Sequence, residues 1–381
     1  MLPKLRFSVW FRKRTAAPCT PKGLLNILPI LLIASYLAFN LLLSGGEEQG
    51  KRPSAWSVPY LRGLSVEKVP FLVPSQAPRI AKKCGPVPGR LLPPGGGRLG
   101  NIMFGYAATL GISRRLGMTL VLPSHSKLFD IFEVHADTIV NVTKAKQGIR
   151  YERFASAYDP KLLEIPCDKD IFVCCSLQSW KYFTGYENEI RTQFRFRPSI
   201  VSKAQSVWDS VIFPATKWNS STLLKDQGSM RVGEPRGAER PVFVAVHVRR
   251  GDKAHHKQTI KMGHRVASEE YLQNGYRFFL NRYNNNVIFV VSSDDQAWVK
   301  KVLPSGISVF VSSDRPEVDM AVLSRCNHTL MTVGTYSWWV AWLVNGTTVY
   351  YKHLFQPGSY IAKHHNNTLA DWVLPQWIGM E

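Results

Sequence analysis

Acidic residues are scarce in this chain of 381 residues: 27 Asp and Glu stand against 48 Lys and Arg, a formal net charge of +21. Such a balance suits an anionic ligand, a nucleic acid or a membrane surface. No recognisable nucleic-acid module accompanies the charge, so no nucleic-acid partner is expected. The chain shows no internal repeat, which argues against a solenoid or a propeller. It has no collagenous, coiled-coil or long low-complexity stretch, and its composition is that of a globular protein. Cysteine is sparse, six in all, and no Cys-x-x-Cys or His spacing suggests zinc, so no metal site is expected. What remains is a basic globular chain longer than one core usually serves, and two compact lobes are the expectation.

The N-terminus is organised differently. Lys4, Arg6, Arg12, Lys13, Arg14 and Lys22 fall in the first 22 residues, with no acid among them. Leu24–Leu43 follows, 20 residues without a charge, about 30 Å as a helix and enough to cross a bilayer. The basic flank places residues 1–23 in the cytosol and 24–43 as a signal anchor. A signal peptide cut near Ser44-Gly45-Gly46 is the competing reading; the length of the run favours the uncleaved anchor. Residues 44–83, with Pro53, Pro59, Pro70, Pro74 and Pro78, read as an extended stem. Five sequons, at Asn141, Asn219, Asn327, Asn345 and Asn366, suit a lumenal region. Cys19 would be cytosolic, close to the membrane. Cys84, Cys167, Cys174, Cys175 and Cys326 would be lumenal, where disulfides persist. Five is odd, so at least one stays free or pairs between chains.

Beyond the stem, residues 84–225 read as one lobe, 226–240 as a polar Gly- and Pro-containing linker, and 241–381 as a second lobe. In the first, Gly95-Gly96-Gly97-Arg98-Leu99-Gly100-Asn101 is a glycine-rich loop. The spacing predicts a helix over Ile102–Leu116, with Met103, Tyr106, Leu110 and Leu116 inward, then strands over Met118–Leu122 and Ile171–Cys175. In the second, strands alternate with helices. Strands are expected at Pro241–Val248, Val287–Val291, Ile307–Val311, Thr329–Val333 and Thr347–Tyr351. Helices are expected at Ser268–Tyr283 (Ser268 as N-cap), Gln296–Val302, Pro316–Arg325 and Tyr336–Val344. That alternation means a parallel sheet with crossover helices.

Phe243–Val248 is a buried-strand pattern that ends in Arg249-Arg250-Gly251-Asp252. Ligands of open α/β sheets bind at such strand ends, and Arg offers a planar fork suited to phosphate oxygens. The plainer alternative is a surface turn, or an ion pair from Arg249 or Arg250 to Asp252. The glycine loop lets backbone approach a ligand and opens a helix, whose N-terminus favours anions. Ser292-Ser293-Asp294-Asp295 reads first as a helix N-cap; its paired aspartates are poor evidence for a metal. Thr332-Val333-Gly334-Thr335-Tyr336 could hold phosphate or simply cap a helix. Asp319 lies in a first helical turn, where a carboxylate is favourable in any case. Trp338, Trp339 and Trp342 read as core. Three loops at the ends of successive strands form a diphosphate cradle by their shared placement.

These motifs resemble the galactoside α1,2-fucosyltransferase family. His247-Val248-Arg249-Arg250-Gly251-Asp252 looks like its first signature, and Val290-Val291-Ser292-Ser293-Asp294 like its second. Gly97-Arg98-Leu99-Gly100-Asn101, with Tyr106-Ala107-Ala108-Thr109 after it, resembles its glycine motif. Cys326 to Thr335, followed by Trp339 and Ala341, is similar to its third region, and Leu374 to Gly379 to its C-terminal end. The resemblance runs from about Gly97 to Gly379. It implies an α/β, GT-B-like architecture: two Rossmann-like lobes with parallel sheets, preceded here by a single N-terminal transmembrane helix. The first lobe would be the acceptor side and the second would bind GDP-fucose.

The implied reaction is inverting transfer of L-fucose to the 2-hydroxyl of a terminal β-galactose on a glycan, with GDP-fucose as donor and no metal or other cofactor. Arg250, with Arg249, would stabilise the leaving diphosphate. His247 and Asp319 would read the guanine, and Ser292 belongs to the same donor site. Asn101, from the loop carrying Gly97 and Gly100, would contact the β-phosphate or fucose, and Thr332, Gly334 and Thr335 the diphosphate. The base is not set by the motifs: His255 falls where the family often has a His, and Asp252 is its rival. Three departures stand out, one of them a Lys253–His264 segment richer in His and Lys than the family implies. Ile102 occupies a position where the family usually has Gln, and Pro93-Pro94 stands where the strand feeding the glycine loop is expected. The resemblance further implies a Golgi, single-pass type II membrane glycoprotein with its catalytic region lumenal, and leaves a homodimer open. The alternatives are a fucosyltransferase with another acceptor and a non-catalytic Golgi membrane glycan-binding protein.

Overall fold

β-Branched and aromatic residues, dense after position 88 in short runs bounded by Pro, Gly and Asn, set the strands of this protein. The computed structural model describes residues 89–139, 148–216 and 241–381. The expected cytosolic tail, anchor, stem and linker, with Cys19, Cys84, Asn141 and Asn219, lie outside the described residues. No helix among the described residues is long and apolar enough to cross a membrane. All of the described residues belong to one unit.

The first lobe contains β1 (Arg90–Leu92), β2 (Thr119–Pro123), β3 (Asp137–Ile139), β4 (Gly148–Tyr151) and β5 (Ile171–Cys174). They form one sheet in the order β3-β2-β1-β5-β4, every pair parallel. Pro93 and Pro94 follow the last residue of β1 and so terminate the strand without interrupting it. Helix α1 (Leu99–Leu116) crosses from β1 to β2. It begins three residues before the predicted Ile102, inside the glycine motif, and Met103, Tyr106, Leu110 and Leu116 are all buried as expected. Helix α2 (Pro198–Val207), which the sequence pattern does not announce, runs into a π-helical turn at Trp208–Ile212.

The second lobe contains β6 (Val242–Val248), α3 (Gly251–His255), α4 (Glu269–Arg282), β7 (Val287–Ser293), α5 (Gln296–Val302), β8 (Ser308–Phe310), α6 (Pro316–Leu323), β9 (His328–Met331), α7 (Thr335–Val344), β10 (Thr348–Tyr351) and β11 (Ile378–Met380). Its sheet order is β11-β10-β9-β6-β7-β8, again parallel throughout. The two α/β lobes thus match the expected GT-B-like pair of parallel sheets. Ser268 caps α4 by accepting from Tyr271 N, as its sequence position predicts. The order of this sheet reverses between β6 and β9. In an open α/β sheet the strand ends at such a reversal form the crevice for ligands.

The seam between the lobes is aromatic. Phe104 of α1 lies 4.6 Å from Trp338 and 5.1 Å from Trp339 of α7, measured between ring centroids. Phe183 stacks on Trp339 at 5.9 Å, and Phe194 meets the same ring edge-on at 5.2 Å. Trp338 and Trp339 are wholly buried, Trp342 nearly so, in agreement with their reading as core. Polar ties accompany the rings. Trp339 Nε1 donates to Gly100 O at 3.0 Å, and Lys181 pairs with Asp371 at 2.5 Å.

Cys174 and Cys175 form a disulfide with each other, Cys167 is disulfide-bonded, and Cys326 is free and buried. Cys326 is the free cysteine among the described residues, and burial raises the pKa of its thiol.

Four histidine rings, two buried and two half-buried, make stability depend on pH. Burial, then Arg249, lowers His247 to about 3. Burial, then Lys253, lowers His264 to about 3 and His365 to about 4. Burial, then Arg282, lowers His328 to about 4. An unfolded chain binds protons at these rings from about pH 6.5 downward, whereas the folded protein resists. Their stability contribution is full above pH 6.5 and is lost as pH falls through 4 to 3. Glu152 works the other way. Burial pushes its carboxyl up to about 8, against the N–H groups of Leu177, Ser176 and Cys175 that donate to it. It is one group against four. The denaturation midpoint is expected to be lower at about pH 5 than at about pH 7; an equal or higher midpoint would mean that the folded rings take up protons.

Candidate active site

Strand β6 stops at Val248, and the next two residues leave the sheet as arginines. Thr332 stitches the exit: its Oγ1 accepts from Arg249 N at 2.9 Å and donates to His247 O at 3.1 Å. This joins the ends of β6 and β9 at the topological reversal. The Arg249 guanidinium, 13% exposed, pairs with the Asp252 carboxylate and lies 3.3 Å from Asp294 Oδ2. Burial lowers its pKa, with Asp294 and Asp252 opposing. Arg250 takes different partners. Its backbone N donates to Asp294 Oδ1 at 2.7 Å, its Nε donates to Asp295 Oδ2 at 3.1 Å, and its guanidinium lies 3.8 Å from the Trp298 ring centre. Of the two ion pairs weighed from sequence, Arg249–Asp252 forms, and Arg250 pairs with Asp295 instead.

Asp252 also lies 3.4 Å from Arg98, which the glycine loop brings across from the first lobe. Burial raises the Asp252 carboxyl, but Arg249, Lys253 and Arg98 together hold it below its ordinary value. Four cations (Arg98, Arg249, Arg250 and Lys253) thus converge on Asp252, Asp294 and Asp295. His255 ends α3 in an exposed position, its Nε2 3.8 Å from Asp295 Oδ2.

The glycine loop and the N-terminus of α7 meet. Gly97 has φ +92°, and a Cβ there would lie 2.5 Å from Asn101 Nδ2. At Gly100 a Cβ would lie 2.7 Å from the Thr335 carbonyl carbon and the Tyr336 nitrogen, so the two helix starts touch through a glycine. Asn101 Oδ1 accepts from Thr335 Oγ1 at 2.7 Å and from Gln178 Nε2 at 3.4 Å. Gly334 precedes α7 with φ +93°, conformation that favours glycine.

A second group of side chains lies beside the arginines. His247 Nδ1 is 2.6 Å from Ser337 Oγ, which itself donates to Val333 O at 3.0 Å. The imidazole therefore carries its proton on Nδ1 and leaves Nε2 as an uncharged acceptor, a tautomer inferred from the network. Its ring lies 4.5 Å from that of Tyr336. Ser292, opposite His247 in register, donates to Asp319 Oδ2 at 3.1 Å. Asp319 Oδ1 accepts from Ser313 N and Oγ at 2.9 and 2.7 Å.

The candidate site residues thus fall into three neighbouring groups at the ends of β6, β7 and β9: the arginines with their aspartates, Asn101 with Thr335, and His247 with Ser337 beside Ser292 and Asp319. Sequence reading missed the roles of Asp294, Trp298, Arg98 and Lys253, and it weighed Asp295 as part of a cap and as poor evidence for a metal, not as a partner of an arginine. Asp295 does cap α5, accepting from Trp298 N at 3.1 Å, while its other oxygen holds Arg250. The signal was present: the chain leaves β6 through Arg-Arg and leaves its neighbour β7 through Asp-Asp. Among the described residues no group of three or more His, Cys, Asp or Glu could hold a metal ion.

The chain is similar to several known proteins. The model of glycosyl transferase family 11 matches residues 95–381. Galactoside alpha-(1,2)-fucosyltransferase 2 of Sus scrofa is 30% identical over 303 residues, 75% of this chain and 78% of that protein. Galactoside alpha-(1,2)-fucosyltransferase 1 of Oryctolagus cuniculus is 29% identical over 373 residues, 93% of this chain and 92% of that protein. Among solved structures, the fucosyltransferase NodZ from Bradyrhizobium overlays with a TM-score of 0.41 at 12% identity, covering 66% of this chain and 92% of that one. POFUT1 in complex with GDP-fucose overlays with a TM-score of 0.40 at 13% identity, covering 68% and 95%. The family match takes in the glycine loop, both arginines and the C-terminal strand, and with it the chain belongs to glycosyl transferase family 11.

Proposed function

We propose that this protein is a galactoside 2-alpha-L-fucosyltransferase, which moves L-fucose from GDP-fucose to the 2-hydroxyl of a terminal β-galactose and forms an α1,2 linkage with inversion. The observation that carries this reading is the pair Arg249 and Arg250 at the β6–β9 reversal, within a family match that spans both lobes.

In this reading the acceptor oxygen attacks the fucose anomeric carbon from the face opposite GDP. The bond to the β-phosphate breaks, and its electron pair leaves with the diphosphate. Charge develops on that leaving group as the sugar becomes oxocarbenium-like. Pre-positioned donors aimed at developing charge are effective in a water-poor site. Arg249 and Arg250 are such donors. Each is held by a carboxylate, so the diphosphate competes with Asp252, Asp294 and Asp295 for forks already aimed. The N-terminus of α7 behind Gly334 adds backbone dipoles. His247, uncharged, with Asp319, Ser292 and Tyr336 beside it, suits the hydrogen-bonding edge and the face of guanine. The acceptor proton goes to His255 or Asp252. His255 is the better placed to exchange it with solvent, because it is exposed and Asp252 is already paired with Arg249. We further assign the chain to the Golgi membrane, anchored by residues 24–43 with its lobes lumenal, on the strength of the apolar run and the sequons.

The test uses the full-length chain in detergent with GDP-fucose and a panel of terminal β-galactosides, with and without EDTA. An α1,2-linked product formed at an undiminished rate in EDTA is expected. A product of another linkage would overturn the acceptor assignment, and activity abolished by EDTA and restored by Mn²⁺ would overturn the metal-free mechanism. GDP-fucose binding with no transfer to any galactoside would point to a different acceptor.

A further inference from the structure

Lys253 is the one cation of the cluster that can lose its proton near neutral pH, since Arg stays charged throughout the accessible range. It follows Asp252 on α3, and its Nζ lies 2.9 Å from His264 Nδ1. His264 closes an antiparallel bridge to Phe355, whose ring is 5.1 Å from that of His365. Two imidazoles, both held uncharged by burial, thus form one wall around the amine. The other wall is the charged end of the cleft. Arg249 comes from the end of β6, Asp252 from α3 itself, Arg98 from the residue capping α1, and Asp294 from the loop after β7. An imidazole lone pair accepts a hydrogen bond but supplies no counter-charge. The acid next to Lys253, Asp252, is already shared by Arg249 and Arg98. The ammonium is therefore short of negative charge. Burial, then Arg249, lowers its pKa to about 8.

We propose that Lys253 is a further cation of the diphosphate site, and that a nucleoside diphosphate binds there together with a proton taken up from solvent by its amine. This rests on the fucosyl-transfer reading above. A diphosphate changes both deficits at once. It adds anionic oxygens to the cleft, and by engaging Arg249 it frees Asp252 for Lys253. The amine gains one proton as the diphosphate arrives and returns it when the diphosphate leaves. No bond to the ligand forms or breaks. Because binding raises the pKa of the amine, affinity is full below about pH 8 and is lost as pH rises toward the bound value, by up to about tenfold per pH unit for one linked proton.

GDP is titrated calorimetrically into the full-length chain in detergent at about pH 8.5, in two buffers of unlike ionisation enthalpy. The wild-type protein should take up a large fraction of one proton per GDP bound. Lys253→Arg keeps a charge that does not titrate, and its GDP binding should show no uptake and no pH dependence across this window. Lys253→Met should show no uptake and an affinity at least tenfold weaker, with thermal midpoints recorded for both variants. If neither variant folds, the wild-type uptake decides, because it must rise around pH 8. Wild-type GDP binding with no buffer-dependent heat, or uptake that survives in Lys253→Arg, would overturn the proposal. A wild-type chain that binds no GDP at any pH would instead sink the fucosyl-transfer reading beneath it.

Discussion

Replacing Arg250 by alanine should lower kcat by about 10²- to 10³-fold, the usual loss for one pre-positioned donor to a developing anion. The fold should survive. The guanidinium lies on Trp298 and donates Nε to Asp295, but Asp295 keeps its capping bond to Trp298 N. Arg249 would be a poorer probe. Its loss strands Asp252 and Asp294 together, so lost activity could reflect a damaged fold. Arg250→Lys separates charge from shape: an ammonium keeps one positive charge but not the planar fork, and it should recover only part of the rate. Turnover by Arg250→Ala within threefold of wild type, at equal amounts of folded protein, would remove the diphosphate role from this residue.

Trp339→Ala should cost about 3–5 kcal/mol of stability, the range for emptying a large buried ring. The ring meets Phe104 and Phe183 from the other lobe, and Phe194 on a third side. Its Nε1 also satisfies the Gly100 carbonyl, which would lose its partner. A fall in Tm on the order of 10 °C is expected for a chain of this size. GDP binding should weaken with it, because Gly100 and Thr335 are the points where α1 and α7 touch. A variant with unchanged Tm would mean that the seam contributes little to cohesion.

Much of this was legible in the sequence, for identifiable reasons. The second lobe alternates strands and helices with clear punctuation, so β6 to β10 and α4, α5, α6 and α7 fall within about two residues of expectation. Gln296–Val302 agrees at both ends. The first lobe was harder. β1 and β3, like β11 at the edge of the second sheet, have three residues each, too short to establish a period, and β4 is an exposed edge strand whose alternation is weak. Helix α2 carries Val and Ser in place of strong helix formers, and only its packing against the second lobe decides it. At the site, residue types announced the anion-binding face. The acids that hold the arginines could not be paired from sequence alone, because Asp294 and Asp295 reach Arg249 and Arg250 only through sheet neighbourhood. The exchange of partners, Arg250 with Asp295 instead of Asp252, follows from the turn of the chain into α3.

The aromatic seam has a kinetic meaning as well as a structural one. Lobes that meet through small polar surfaces swing about a hinge by default, and a large apolar interface suppresses that motion. Here the helix whose start lines the donor site, α7, is also the helix wedged between the lobes. Separating them would expose Trp338 and Trp339 to water, so opening by rigid-body swing is too costly to occur in each catalytic cycle. Nucleotide entry and escape must then be timed by short segments at the rim, such as 253–264, whose movement leaves the tryptophans dry.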